Sequence, residues 1–156
     1  MRLTTFTDYS LRVLIYVATA PERRATIAEV AGAFGVSENH LVKVVHALGK
    51  LGLLFNTRGR GGGLRLAGAP ATINVGRVVR ATESADMAEC FDRDSNTCAL
   101  AGRCRLERIL HEALDAFYHV LDRYTLEDLI VNPRQIATIL AFPSKPPARR
   151  ARPRTP

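Results

Sequence analysis

Residues 26–48 read TIAEVAGAFGVSENHLVKVVHAL, two helical apolar patterns parted by one glycine turn. Ile27, Val30, Ala31 and Phe34 share one face of the first pattern. Thr26 precedes it and Glu29 follows three residues later. That is the spacing of a capping box, in which hydroxyl and carboxylate each satisfy a backbone N–H. Gly35-Val36 makes the turn, and Ser37 stands where the cap of the next helix belongs. Helix 37–48 then turns Leu41, Val44, Val45 and Leu48 inward and leaves Ser37, Glu38, Asn39, His40, Lys43 and His46 outside. Helix, short glycine turn, helix is the helix-turn-helix plan, and its second helix presents groups able to address base edges or phosphates in a major groove.

On the N-terminal side a helix is expected from Asp8 to Ala20, with Leu11, Leu14, Ile15 and Ala18 facing a core and Pro21 ending it. On the C-terminal side two apolar runs, Leu51–Phe55 and Leu64–Leu66, flank Asn56-Thr57-Arg58-Gly59-Arg60-Gly61-Gly62-Gly63. This is expected to be a β-hairpin with a basic tip. Glycines such as Gly61 let backbone approach closely, and Arg58 and Arg60 suit a narrow minor groove. The tip lacks the Lys-Ser/Thr ending of a P-loop. The fold expected is mainly α: a winged helix-turn-helix DNA-binding domain over 1–82, with a small β-hairpin wing.

Asn74 is expected to cap a short helix from Val75 to about Thr82. A cysteine-rich loop follows over 83–104. Residues 105–142 are read as a long dimerisation helix and a C-terminal helix. Leu106, Leu110, Ala113, Phe117, Val120 and Tyr124 recur at spacings of four and three, a coiled-coil seam widened by Ile109, Leu114 and Leu121. Twenty residues of helix span about 30 Å, more stripe than so small a domain can cover, which predicts a homodimer. The tail 143–156 is basic and proline-rich, with too little apolar surface to order itself.

Charge follows the same division. Residues 1–80 carry 11 Lys/Arg against 4 Asp/Glu, residues 81–142 carry 6 against 11, and residues 143–156 carry 5 against none. A basic first half suits phosphates, and an acidic second half is expected to point away from nucleic acid. No stretch reads as a membrane span or a convincing secretory signal, which places the chain in the cytoplasm. The catalytic motifs G-x-S-x-G and H-E-x-x-H are missing from the sequence, so no enzyme is expected.

The chain's three cysteines are Cys90, Cys98 and Cys104, spaced C-x7-C-x5-C in a polar stretch. An odd number argues against a closed disulfide framework. Soft thiolates suit iron–sulphur clusters, zinc or Cu(I), but these spacings fit the paired C-x2-4-C knuckles of structural zinc poorly. Three thiolates leave one ligand position to be filled by His111, Glu107, Asp8, a loop carboxylate or a small molecule. An iron–sulphur centre is the expectation. A zinc- or thiol-dependent regulator and a cysteine-nucleophile enzyme are its rivals.

Several segments together resemble the Rrf-type family of winged-helix iron–sulphur regulators, across roughly residues 1–140. They are Met1-Arg2-Leu3-Thr4-Thr5-Phe6-Thr7-Asp8-Tyr9-Ser10-Leu11-Arg12, Ser37-Glu38-Asn39-His40-Leu41-Val42-Lys43-Val44-Val45, Arg58-Gly59-Arg60-Gly61-Gly62-Gly63 and Glu89-Cys90-Phe91. Within the family they look most like its nitric-oxide-sensitive repressors. The cluster-biogenesis branch places a histidine three residues after the last cysteine, where this chain has Glu107. The resemblance implies that Cys90, Cys98 and Cys104 of one subunit and Asp8 of the other hold the cluster, 4Fe–4S favoured over 2Fe–2S. Arg12, one turn from Asp8, would hold that carboxylate by an i,i+4 pair. It also implies a homodimeric repressor of a pseudo-palindromic operator in double-stranded DNA, with nitric oxide as its signal. A relative sensing iron, oxygen or redox state is the nearest alternative.

Overall fold

The computed structural model describes residues 2–57, 59, 61–83, 89–91 and 96–140. The chain is mainly helical, with helices α1 (Thr5–Thr19), α2 (Ile27–Phe34), α3 (Glu38–Lys50), α4 (Val75–Thr82), α5 (Arg105–Leu121) and α6 (Pro133–Ile139). Strands β1 (Leu54–Thr57) and β2 (Gly63–Leu66) pair antiparallel, Leu54 opposite Leu66 and Thr57 opposite Gly63. Among the described residues, no helix is long and apolar enough to cross a membrane. The basic tail expected over 143–156 lies outside the described residues.

Helix α1 is the centre of the core. Its Val13, Leu14, Tyr16 and Val17 are buried with Leu41, Val44, Val45 and Leu48 of α3, Leu54 and Leu64 of the hairpin, and Leu126. α1 packs against α2, α3, β2, α4, α6 and the turn Glu127–Ile130. The buried hydroxyls of Ser10 and Thr19 donate back to Phe6 O and Ile15 O, so neither is left unsatisfied.

Three element boundaries differ by about three residues from the sequence-based expectation. α1 starts at Thr5 rather than Asp8, because Thr4 caps it and accepts from the Thr7 amide at 3.2 Å. β1 begins at Leu54 rather than Leu51. Gly52 adopts φ 69° and Leu53 N returns to Leu48 O at 3.0 Å, so residues 51–53 close the helix before the strand starts. α5 ends at Leu121, short of Tyr124, because the residues after it are tied to the start of α4. Asn74 caps α4 through Arg77 N, and its Nδ2 donates to Asp122 O at 2.7 Å. Val75 N donates to Tyr124 O at 2.9 Å. The capping box of α2 forms as expected from Thr26 and Glu29, and Gly35 ends that helix in the left-handed region at φ 63°.

Candidate DNA-reading face and cysteine site

The capping box fixes the start of α2 and the left-handed Gly35 turns the chain into α3. The amphipathic phase of α3 then does the presenting. Leu41, Val44, Val45 and Leu48 are at most 2% exposed, while Ser37, Glu38, Asn39, His40, Lys43 and His46 are all exposed. Ser37 occupies the N-cap position but makes no side-chain cap bond, so its hydroxyl is not committed to the helix. The His40 ring lies 6.4 Å from that of Tyr9, placing α1 beside the reading helix.

The wing is braced by Arg24 and Ala25, which lie between the first two helices and were assigned to no element from the sequence. Ala25 pairs with Leu64 as an isolated antiparallel bridge on β2, with Leu64 N to Ala25 O at 2.7 Å and Ala25 N to Leu64 O at 3.2 Å. Arg24 Nη1 donates to Gly61 O at 2.8 Å and holds the tip. Gly63, at φ 143°, lies so close that a Cβ would sit 2.8 Å from Ala25 O. Arg58 and Arg60 fall outside the described residues. No periodicity marks Arg24 or Ala25, since a single bridge residue carries no alternation to read.

The cysteines lie between α4 and α5, and all three are free of disulfides. Half-buried Cys90 sits in the short turn Glu89–Phe91, whose Phe91 ring packs 4.1 Å from His111 of α5. Cys98 is exposed, and its amide donates to Asn96 Oδ1 at 2.9 Å. Cys104 is half-buried at the N-cap of α5, with no cap hydrogen bond from its side chain. Cys104 also lines a concavity with Arg103, Arg105, Glu107, Arg108 and His111, where three guanidinium groups favour an anionic group. By donor chemistry, soft thiols suit an iron–sulphur cluster, and of the three it is Cys104 that has guanidinium groups around it. Among the described residues, no three His, Cys, Asp or Glu side chains converge into a metal-binding group within the single chain.

Asp8 stands in the first turn of α1, gripped by a two-pronged pair: Arg12 Nη2 to Oδ2 at 2.8 Å and Arg12 Nε to Oδ1 at 3.1 Å. The Arg12 guanidinium also lies over the Tyr9 and Phe34 rings, at 5.9 and 5.6 Å. Asp8 and the cysteine segment are linked through a contact that spacing does not reveal. Glu83, just after α4, accepts from Thr4 N at 2.9 Å, and Thr4 O accepts from Asp8 N at 3.0 Å.

None of the residues of α5 is buried. Leu106, Ile109 and Val120 remain 59%, 50% and 44% exposed, an apolar face that the other described residues leave open.

A reading helix followed directly by a braced hairpin is the build of a winged-helix transcriptional regulator. The chain belongs to the Rrf2 family of iron-dependent transcriptional regulators, whose model matches residues 3–132. It is similar to the HTH-type transcriptional regulator NsrR of Shouchella clausii, 48% identical over 144 residues that cover 91% of this chain and 97% of that protein. The NsrR of Bacillus subtilis is 47% identical over 142 residues, covering 90% and 97%. Among solved structures, T. potens IscR superposes with a TM-score of 0.69 at 23% identity, over 93% of each chain, a likeness of fold alone. CymR (YrzC), the global cysteine regulator of B. subtilis, superposes with a TM-score of 0.61 at 28% identity, over 83% of this chain and 95% of that one.

Proposed function

We propose that the chain is a cytoplasmic homodimeric repressor, not an enzyme, that binds a pseudo-palindromic operator and releases it in response to nitric oxide through an iron–sulphur cluster. Cys90, Cys98 and Cys104 of one subunit and Asp8 of the partner subunit would hold the cluster, 4Fe–4S in preference to 2Fe–2S. Bound there, a cluster would supply iron that exchanges more readily where Asp8 holds it than where thiolates do, because a carboxylate is the harder, weaker partner.

The chain's own residues supply the reading and the linkage. Ser37, Glu38, Asn39, His40 and Lys43 enter a major groove, and Arg58, Arg60 and Gly61 meet the flanking minor groove. A two-fold dimer sets half-sites about one helical turn or more apart. The open apolar face of α5 is the natural seam between subunits. Arg12 orients Asp8, and Glu83 ties the entry of the cysteine segment to the cap of α1. Because α1 packs on α3, a shift of that segment reaches the reading helix. A coupling of about 1–3 kcal/mol would change operator affinity about 5- to 150-fold.

The observation that carries this reading is the grouping of three free thiols between α4 and α5, in a segment whose first residue anchors the helix bearing Asp8. Exposed Cys98 favours a second reading: an iron, oxygen or redox signal at the same cluster, or a zinc- or thiol-dependent regulator. Iron, zinc and acid-labile sulfide are to be measured on anaerobically purified wild-type and Cys98→Ser protein. Iron with matching sulfide, lost in the variant, is expected. Zinc without sulfide contradicts the cluster.

A further inference from the structure

On the exposed face of α3 one side chain breaks the chemistry of its neighbours. Glu38, Asn39, His40, Lys43, His46 and Lys50 are exposed and polar, and Val42 stands among them 51% exposed. It follows Asn39 by three residues and precedes His46 by four, so it lies within the stripe rather than at its edge. A lone surface valine is ordinary on most faces. Here it lines a groove with His46, Lys50, Phe55 and Asn56, between the reading helix and the first wing strand. Phe55 is itself 55% exposed. Helix propensity does not account for the residue, since a β-branched side chain is a poorer helix former than alanine at such a position.

We propose that Val42 is a specificity-determining residue that packs on the C5-methyl group of one thymine in each operator half-site. The inference rests on the assignment of α3 as the DNA-reading helix. The thymine methyl is the apolar feature of the major-groove edge, and short apolar side chains are its partners. Valine in a helix holds one χ1 rotamer strongly, so contact immobilises little that is free beforehand. His46 and Lys50 are exposed beside it and suit phosphates, which fix register without reading sequence.

The test begins with duplex DNA selected from a random pool by the full chain, purified anaerobically. Each thymine of the selected half-site is then replaced by deoxyuridine, which removes only the C5-methyl. One thymine per half-site is expected to show a loss of about fourfold, the effect of one methylene-sized group leaving an apolar contact. That loss is expected to shrink toward nothing in Val42→Ala and to persist in Val42→Ile. The salt dependence of binding stays that of wild type in both, because Val42 holds no phosphate. If no thymine is sensitive, or if the methyl effect is equal in Val42→Ala, the assignment is overturned while the DNA-reading role of α3 stands. If the chain selects no DNA, both fall together.

Discussion

Glu83 accepts hydrogen bonds from both the amide and the hydroxyl of Thr4, at 2.9 and 3.3 Å, across 79 residues of sequence. Thr4 is the cap of α1 and Glu83 is the first residue after α4, so one carboxylate joins the start of the central helix to the entry of the cysteine segment. Charge-assisted bonds to a half-buried carboxylate are worth more than neutral ones, but solvent reaches this site. Glu83→Ala is expected to cost about 1 kcal/mol of unfolding free energy in urea. It is also expected to speed amide exchange in the first turn of α1. A variant with wild-type stability and unchanged protection at residues 5–8 contradicts the linkage.

The wing depends on backbone lying close to backbone. Gly63 combines a φ of 143° with a Cβ position 2.8 Å from Ala25 O. Gly63→Ala must strain both, and is expected to destabilise by about 1–3 kcal/mol and to weaken operator binding. Arg24→Ala removes only the tie to Gly61 O, and is expected to weaken binding with little loss of stability. Equal operator affinity in both variants would remove the wing from the DNA interface.

Acid should loosen the join between α4 and the end of α5. Arg80 donates to both carboxylate oxygens of Asp122, at 2.5 and 2.6 Å, and holds that carboxyl below its ordinary 3.8. The ionised form is the stabilising one. Its contribution is complete above pH about 4 and is lost as pH falls through the lowered folded value. Melting temperatures of wild type and Asp122→Asn should therefore differ by a constant amount near neutrality and converge in acid. A gap that ignores pH contradicts the ion pair.

The exposed face of α5 makes a separable claim. Ile109 and Leu106 are 50% and 59% exposed in the single chain, so a charge at either harms no intramolecular core. Ile109→Glu is expected to sediment as a monomer with unchanged helix content by circular dichroism. A dimer surviving both Ile109→Glu and Leu106→Glu would place the subunit seam elsewhere.

Local chemistry made much of the fold legible. The 3.6-residue phase of Leu41, Val44, Val45 and Leu48 fixed which face of α3 is buried, and the Thr26/Glu29 spacing marked the start of α2. Sequence spacing could not show contacts between residues distant along the chain. Nothing near Arg24 signals Gly61, and nothing near Glu83 signals Thr4, because neither partner lies within a helical turn or a strand register of the other. The cysteine site divides in the same way. Its thiols were evident from composition, whereas the placement of Cys104 at the cap of α5 and of Phe91 on His111 comes from tertiary packing; the Asp8–Arg12 pair, proposed to complete the site from the partner subunit, was evident from i,i+4 spacing.

The most direct test is an anaerobic titration of the purified protein with nitric oxide, following visible absorbance and operator binding together, in wild type, Asp8→Ala and Asp8→Cys. For wild type, bleaching of the thiolate-to-iron band in step with loss of DNA binding is predicted, with altered spectra and altered response in the two variants. DNA binding that persists after complete bleaching would contradict the account, and unchanged spectra and response in both variants would remove Asp8 from the site.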